Sequence, residues 1–463
     1  MNKIKINNDS IVKFLFYFFP VPFILGNLIV TLHLFLFIIF SFILISKKKL
    51  KLRIDKACWL LIIFFLYLLL STLFQYQAPG ILYDVTESWP LESKPLVKSI
   101  ALIRFLLLIF VIDTLFYNKI LNLKGFLFSS LVCASFVSID IIFQYFVGFD
   151  LLGLKSFGAR NSGPFGDEMI AGAYLVKFSF ISIFFLKDLI KNINLNKYLL
   201  ISTITINTIA IFLAGQRMPT LLFFLGSFLV IVFLKNLRVV WSQGMLLSII
   251  VFFAIGSNDE KVRNPYLNFL NDINVFEYIE AHNKKNKKEE LEKQTEASST
   301  NDKEISKFIF LHRTGHGRLY TVASRMWLDQ PFYGHGLKAF RVKCHEYSPT
   351  KEKHLSMKIL PTGCSAHPHN YYLEILAEAG IIGAFLLITF FVFLLKDAYY
   401  ILVSYIKTQD NKYYFILPII INFIIEIWPL RSSGSFFTTW NATFFWLCVG
   451  ILIAVKSKKS EKF

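Results

Sequence analysis

Long apolar stretches, separated by short polar connections, run along the chain from end to end. A helix that crosses a bilayer needs about 20 mostly apolar residues. The pattern therefore predicts an all-α polytopic membrane protein with about 12 transmembrane helices. The predicted spans are 11–26, 28–46, 57–75, 99–117, 125–147, 169–186, 198–214, 218–234, 241–256, 371–395, 413–428 and 436–455.

The lysines between these spans predict how the chain is oriented. If the N-terminus is cytoplasmic and the spans alternate, every connection on the cytoplasmic side contains lysine, as the positive-inside rule requires. Both termini are then cytoplasmic, and residues 257–370 form one large loop on the far side of the membrane. The lysine-containing connections are 47–56, 118–124, 187–197, 235–240, 396–412 and the tail KSKKSEKF.

The chain divides into three predicted regions. Residues 1–256 form an N-terminal bundle of about nine helices, residues 257–370 form the large loop, and residues 371–463 contribute about three more helices. Within the loop, residues 283–303 (NKKNKKEELEKQTEASSTNDK) are too charged to bury a core and are predicted to be disordered. The remainder of the loop, from about Phe308, is rich in aromatic residues, glycine and histidine and is predicted to fold.

Composition agrees with a membrane protein. Of 463 residues, 55% are hydrophobic and 17% are charged, and 51 are phenylalanine. A water-soluble domain has a larger fraction of charged residues and a smaller fraction of apolar residues. The net charge of +18 would suggest nucleic acid as a partner of a soluble protein, but here the lysines lie between apolar runs. We therefore expect membrane lipids, and no nucleic acid, as partners.

Five separate segments bring a cation or an imidazole to the far face of the membrane. Polar residues at such positions are costly and often functional. The arginine fork matches phosphate oxygens, so several arginines around one pocket indicate an anion such as a diphosphate. The residues are Arg160 in GARNSGPFGDE, Arg217 at the mouth of a span, Arg318 in GHGRLYTVASRMW, His369 in HPHNYYLE and Arg431 in WPLRSSG.

His369 has the position expected of a general base. If the tenth span begins at Asn370, the imidazole lies beside a helix N-terminus. The positive end of the helix dipole disfavours the imidazolium form, and a neutral imidazole can accept a proton. The same helix end also favours a nearby anion.

Each of these residues also has a purely structural interpretation. Arg217 and Arg431 could anchor helix ends, Arg318 and Arg325 could be solvated loop charges, and Arg160 could belong to a turn. His369 could cap a helix. Inside the spans, Arg104 and Lys177 could pair with Asp113, Asp140 or Glu426. The co-location of several such residues, rather than any one of them, favours a functional site.

The histidines and cysteines of the loop raise the alternative of a zinc site. Their spacings match no metal-site pattern, so we predict no metal. A disulfide between Cys344 and Cys364 fits an oxidising compartment better, and would close a loop of about 20 residues and contribute about 3 kcal/mol. The histidines considered are His312, His316, His335, His345, His354 and His367.

Two runs in the second half resemble elements of the O-antigen ligase and O-antigen polymerase superfamily. They are GRLYTVASRMWLDQPFYGHGLKAF and HNYYLEILAEAGIIGAFLL. The runs GPFGDEMIAGAYL and SFFTTWNATFFWLCVGIL are also similar to segments of that family. The resemblance covers most of the second half in the correct order, whereas the first half matches only in general hydropathy.

This resemblance implies a GT-C-like glycosyltransferase of the bacterial inner membrane that needs no metal or nucleotide cofactor. Its donor would be a glycan on undecaprenyl diphosphate, used on the periplasmic face, which makes the large loop periplasmic. By motif position, the catalytic residues would be Arg217, Arg318 and His369. A second tier of substrate-binding residues comprises Arg325, Arg160, Arg431, Asn370 and Glu374.

Some alternatives stay open at this point. The family often has an apolar residue where this chain has Arg325, so either Arg318 or Arg325 could contact phosphate. The tight joint at Gly215–Arg217 and the single large loop favour a ligase, which uses a lipid A–core sugar as acceptor, over a polymerase. A transporter of lipid-linked glycans could use Arg104, Lys177 and Glu426, but paired halves with matching broken helices are missing from the pattern. A non-catalytic scaffold would leave the cations without a role.

Overall fold

The structure, a computed structural model, describes residues 8–77, 95–156, 160–272, 315–348, 364–432 and 434–456. Within these ranges the chain is helical or irregular and forms no β-strand. The stretch predicted to be disordered, residues 283–303, lies outside the described residues, as do His312 and His354.

The described residues form eighteen α-helices, which are numbered in chain order. They are α1 (Asn8–Tyr17), α2 (Pro20–Leu25), α3 (Asn27–Lys47), α4 (Lys56–Gln77), α5 (Pro95–Ala101), α6 (Ile103–Tyr117), α7 (Lys124–Val147), α8 (Ala171–Leu189), α9 (Ile193–Leu213), α10 (Arg217–Phe233), α11 (Lys235–Asn258), α12 (Glu260–Asp272), α13 (Gly315–Asp329), α14 (Ala339–Lys343), α15 (Tyr371–Thr408), α16 (Asn411–Tyr414), α17 (Leu417–Glu426) and α18 (Thr439–Lys456).

The predicted spans all fall on helices, and the chain is a multi-pass membrane protein. In the described part of the chain, eight segments are helical, long and apolar enough to cross a bilayer, so the count of about 12 is not confirmed. Helices α10 and α17 are apolar but shorter. The first predicted span, 11–26, is not one helix. It divides into α1 and α2, because Pro20 begins α2 and cannot donate the backbone bond that a continuous helix needs.

Helix α8 occupies the centre of the bundle. Its side chains are buried almost without interruption from Ala171 to Leu186. It packs against α7, α9, α10 and α17. A helix that is buried on all sides is apolar on all sides. The buried charge on this helix is Lys177, whose side chain is only 1% exposed and must therefore find a partner inside the bundle.

The described part of the large loop has a small core of its own. The apolar side of α13, with Leu319, Val322 and Met326, packs on Phe340 of α14. Cys344 and Cys364 are joined by a disulfide with their Cα atoms 5.4 Å apart, and both sulfurs belong to this small core. The disulfide thus holds the segment after α14 to the segment that leads into α15.

Helix α15 is broken at Gly380, and the loop after α13 fills the break. Gly380 has φ 64° and ψ −169°, a conformation open essentially to glycine alone. The backbone groups that lose their helical partners bond instead to residues 331–336. These bonds run from His335 N–H to the Ala377 carbonyl (3.0 Å), from Gly336 N–H to the Glu378 carbonyl (2.9 Å) and from Ile381 N–H to the Pro331 carbonyl (2.8 Å).

Helix α4 also bonds to the junction between α15 at Gly380 and the loop after α13. The Tyr67 hydroxyl donates to the Ala379 carbonyl at 2.7 Å, and the Ser71 hydroxyl donates to the Tyr333 carbonyl at 3.3 Å. The Gln75 side-chain amide donates to the Gln330 side chain at 3.1 Å. The start of α15 and the loop after α13 therefore share one set of polar anchors in the N-terminal half of the chain.

We expect Gly380→Ala to lower the thermal stability of the detergent-solubilised protein sharply. A Cβ at this position would lie 2.2 Å from the Phe332 carbonyl oxygen, so the junction would have to open. Gly26→Ala is the matched control, because Gly26 has a similar backbone (φ 100°, ψ 174°) but open space around a Cβ. The control should show the conformational cost alone, about 1–3 kcal/mol. Equal losses in the two variants would contradict the close backbone packing described above.

Candidate functional site

The N-termini of three helices lie near one another. Helix α10 begins at Arg217, α13 begins at Gly315, and α15 begins directly after its N-cap, Asn370. The ring of His316, at the start of α13, lies 4.9 Å from the ring of His369, centroid to centroid. Arg217 is close enough for its charge to act on His316. Each helix end adds partial positive charge, so the region favours an anion.

Asn370 gives α15 its start. Its side-chain oxygen accepts the N–H groups of Tyr372 (3.0 Å) and Leu373 (3.1 Å), as an N-cap does. Its side-chain amide donates to the Pro429 carbonyl at 2.8 Å. The predicted span 371–395 begins at Tyr371, which is the first helical residue in the structure. The Asn370 side chain is thus engaged with protein groups and holds the residue before it in position.

That residue, His369, has a left-handed backbone with φ 58°. This conformation costs a residue with a Cβ about 1 kcal/mol or more, and such strain collects at functional sites. The ring of His369 contacts the ring of His367 at 4.2 Å as well as that of His316. A half-buried imidazole between two others at a helix N-terminus is well suited to proton transfer.

The surroundings of His316 favour the neutral form of its imidazole. Packed protein atoms and the nearby Arg217 guanidinium both lower the pKa of the His316 imidazole, although part of the side chain remains exposed to water. Burial and a like charge both disfavour the imidazolium form. His316 can therefore accept a proton at neutral pH, but it holds one only weakly.

Arg217 is half-buried at the first position of α10. Its guanidinium lies 5.7 Å from the centroid of the Phe269 ring on α12. Arginine packs on aromatic faces, and its planar fork suits bidentate contacts with an oxyanion. The structure thus places a cation, a helix end and two imidazoles together.

The two loop arginines differ in their surroundings. Arg318 is exposed on the first turn of α13, two residues after His316. Arg325 lies two turns further on, about 10 Å along the helix at 1.5 Å per residue. Its guanidinium donates to the Tyr347 carbonyl at 3.3 Å. Arg325 therefore supports the small core of the loop, and Arg318 lies nearer the three helix N-termini.

Arg431 is held in a buried ion pair. Its guanidinium lies 2.5 Å from one carboxylate oxygen of Glu426, and the other oxygen of Glu426 is paired with Lys177. All three side chains are less than one-tenth exposed. Buried charges persist only with partners, and Glu426 serves both cations. Of the pairings considered from sequence, that between Lys177 and Glu426 is present.

Glu374 is also bonded to the protein. Its carboxylate, which is fully buried, accepts the Ser435 hydroxyl at 2.5 Å and the Phe436 N–H at 2.7 Å. Lys338, which has a left-handed backbone, donates to the same Ser435 hydroxyl at 2.7 Å. Glu374 therefore attaches the start of α15 to the segment before α18.

Arg160 lies on an exposed turn before α8, where its guanidinium contacts the Met169 sulfur at 3.6 Å. For metal binding, the ranges with described structure contain no group of three or more histidine, cysteine or carboxylate side chains that could hold an ion.

Sequence reasoning missed the place of His316. It grouped this residue with the other loop histidines as a zinc alternative, because pairing with His369 depends on how α13 docks against α15. The available signal was its position two residues before Arg318, at the start of the same helix. A residue that shares a helix end with a candidate arginine should be considered with that arginine.

Fold and site together define a polytopic, all-helical membrane protein with a cationic, histidine-containing site at helix N-termini. The sequence model of a family described as O-antigen ligase (Wzy_C) matches residues 202–388, which include Arg217, Arg318 and His369. The resemblance to the O-antigen ligase superfamily seen in the sequence is confirmed over this segment. The match indicates a glycosyltransferase-like enzyme with an O-antigen ligase or polymerase type of function. A search of curated proteins finds no match.

The buried ion pairs generate a stability prediction. Glu426→Gln should cost about 3–5 kcal/mol, because Lys177 and Arg431 would both lose their carboxylate in a buried site. The double variant Lys177→Met/Glu426→Gln should lose less, because one of the two orphaned cations is gone. Thermal unfolding in detergent measures both changes.

The matched control is Asp397→Asn, which removes a carboxylate from a more exposed pair with Lys456, whose side chain is 35% exposed and that of Asp397 19%. Its cost should be about 1 kcal/mol or less. The interpretation of Glu426 as a shared internal counter-ion is wrong if Glu426→Gln is no more harmful than this control.

Proposed function

We propose that the protein is an O-antigen ligase. It transfers a glycan from undecaprenyl diphosphate to a sugar of lipid A–core on the periplasmic face of the bacterial inner membrane. The observation that carries this proposal is the meeting of Arg217, His316 and His369 at three helix N-termini, within the segment that matches the family. Such a region suits a diphosphate and an adjacent base.

In this proposal Arg217 and Arg318 bind the diphosphate of the donor. Negative charge builds on the diphosphate as its bond to the anomeric carbon breaks, and fixed cations stabilise that charge in the transition state. Arg318 is preferred to Arg325 because Arg325 donates to a carbonyl in the loop, whereas Arg318 is exposed beside the helix ends. A diphosphate stabilised in this way leaves without a metal ion or a nucleotide.

His369 acts as the general base. It removes the proton of the acceptor hydroxyl as that oxygen forms a bond to the anomeric carbon, and undecaprenyl diphosphate leaves with the bonding electrons. The N-terminus of α15 favours the neutral imidazole that this step requires. The left-handed backbone of His369, fixed by the cap at Asn370, sets the direction of the ring.

The second-tier residues then divide by their surroundings. Asn370, Glu374 and Arg431 are bonded to protein groups and position the His369–Asn370 pair (the HN element) rather than bind glycan. Arg325 supports the loop core. Arg160 is exposed and stays a proposed glycan contact.

The rival functions are weighed as follows. A polymerase would use the same site with a second lipid-linked glycan as acceptor, and the acceptor identity separates it from a ligase. A transporter path through Arg104, Lys177 and Glu426 is disfavoured, because Lys177 and Glu426 are paired and Arg104 donates to the Thr439 hydroxyl at 3.1 Å. Side chains that are engaged with protein partners in this way do not line a transport path.

Lipopolysaccharide gels of a deletion strain test the proposal. Complementation with wild type should restore the ladder, and Arg217→Ala, Arg318→Ala or His369→Ala should leave bare lipid A–core with polymer retained on its lipid carrier. Each substitution removes charge stabilisation or the base and leaves the fold intact, so immunoblots should show normal amounts of protein in the membrane. Arg341→Ala, at an exposed arginine on α14, is the control that should restore the ladder.

A core that carries a single repeat unit in the deletion strain would mean a polymerase. An unchanged ladder would overturn the ligase proposal, and normal transfer by two of the three variants would overturn the site assignment.

A further inference from the structure

Two histidines from different helices contact each other at the candidate site. The ring of His316 approaches the ring of His369 edge to face, with centroids 4.9 Å apart and planes at 62°. His316 belongs to α13 of the loop, and His369 precedes α15. The contact therefore exists only when α13 is docked on the start of α15.

We propose that His316 is a relay residue, which takes from His369 the proton removed from the acceptor hydroxyl and passes it to water. This inference rests on the proposed function, since it assigns a second residue to the same proton. The proton moves from the acceptor oxygen to the His369 imidazole, from there to the His316 imidazole, and then to solvent. His369 is thereby neutral again before the next acceptor binds.

Exposure gives the relay its direction. His369 is half-buried, whereas the His316 side chain is exposed, so the pair leads from the interior of the site to water. When lipid-linked glycan and acceptor occupy the site, direct access of water to His369 is reduced further. A neighbouring imidazole that reaches solvent then provides an exit for the proton.

The charged groups around the pair favour release of the proton. Arg217 on α10 acts on His316, Arg318 follows it by two residues on α13, and the His367 ring contacts the His369 ring from the segment before α15. These groups are cationic or neutral. Together with packing, the Arg217 charge lowers the pKa of His316, so its imidazole is neutral when a proton arrives and loses that proton readily.

His367 fits the relay less well. It also contacts the His369 ring, at 4.2 Å, but it is half-buried and lies only two residues away in the same tight segment. Its backbone carbonyl accepts the Ser365 hydroxyl at 2.7 Å. The local fold places His367 beside His369 whether or not the loop is docked, whereas His316 must be brought there by tertiary packing.

The test uses the full-length protein in lipid nanodiscs. Lipid-linked glycan and lipid A–core extracted from the deletion strain serve as substrates, and transfer is measured as a function of buffer concentration. At low buffer, His316→Gln and His316→Phe should each lower kcat by roughly tenfold to a hundredfold with KM unchanged, at the lower end of what general base catalysis contributes. Imidazole at tens of millimolar should restore much of the rate, because a soluble base can replace the relay.

The comparison variants separate a relay from a packing role. The transfer rate of wild type should not depend on buffer concentration. His345→Gln, at an exposed histidine elsewhere in the loop, should show the same rate as wild type. Full activity of His316→Phe would show that only the ring contact matters and would overturn the relay. A loss that buffer and imidazole do not relieve would overturn it as well. Absence of transfer by wild type would instead overturn the ligase proposal itself, and the relay with it.

Discussion

The exchange of backbone hydrogen bonds at Gly380 is the constraint on which the site depends. A transmembrane helix normally satisfies its own N–H and C=O groups, and a break within it leaves several of them without partners. Here the loop after α13 supplies those partners, with Gly336 and Gly334 close enough to the helix backbone that a side chain would not fit at Gly334. Since α13 leads directly into this loop, the same bonds that repair the break also set where His316 lies relative to His369.

A second layer of interactions lies beneath the helix ends and is made of buried charges. Glu426 pairs with Lys177 and Arg431, and Glu374 accepts bonds from the segment before α18. These interactions join α8 to α17 and α15 to the segment before α18. They fix the positions of these helices relative to one another, which apolar packing alone specifies less well. Arg431 and Glu374, which the sequence interpretation assigned to substrate, are therefore bonded to protein groups. Arg217 and Arg318 are more exposed.

Local signals predicted much of this and tertiary contacts decided the rest. Apolar run length predicted the helices, and the HN element predicted the start of α15 to within one residue, because an asparagine cap is a local interaction. The pairing of Cys344 with Cys364 followed from compartment and spacing. The division of the first span at Pro20 follows from a local proline, which a count of apolar run length does not weigh. The approach of His316 to His369 depends on packing between distant segments, which a single sequence does not encode in any short pattern.

The hydrogen bonds from α4 limit how the loop can be exchanged between relatives in evolution. Tyr67, Ser71 and Gln75 bond to backbone and side-chain groups of the junction between the loop and α15, although the first half of the chain resembles the family only in hydropathy. The loop is therefore not a portable module. A chimera that receives the loop of a relative would inherit contacts made for a different α4, and a compatible exchange would have to carry that helix along with the loop.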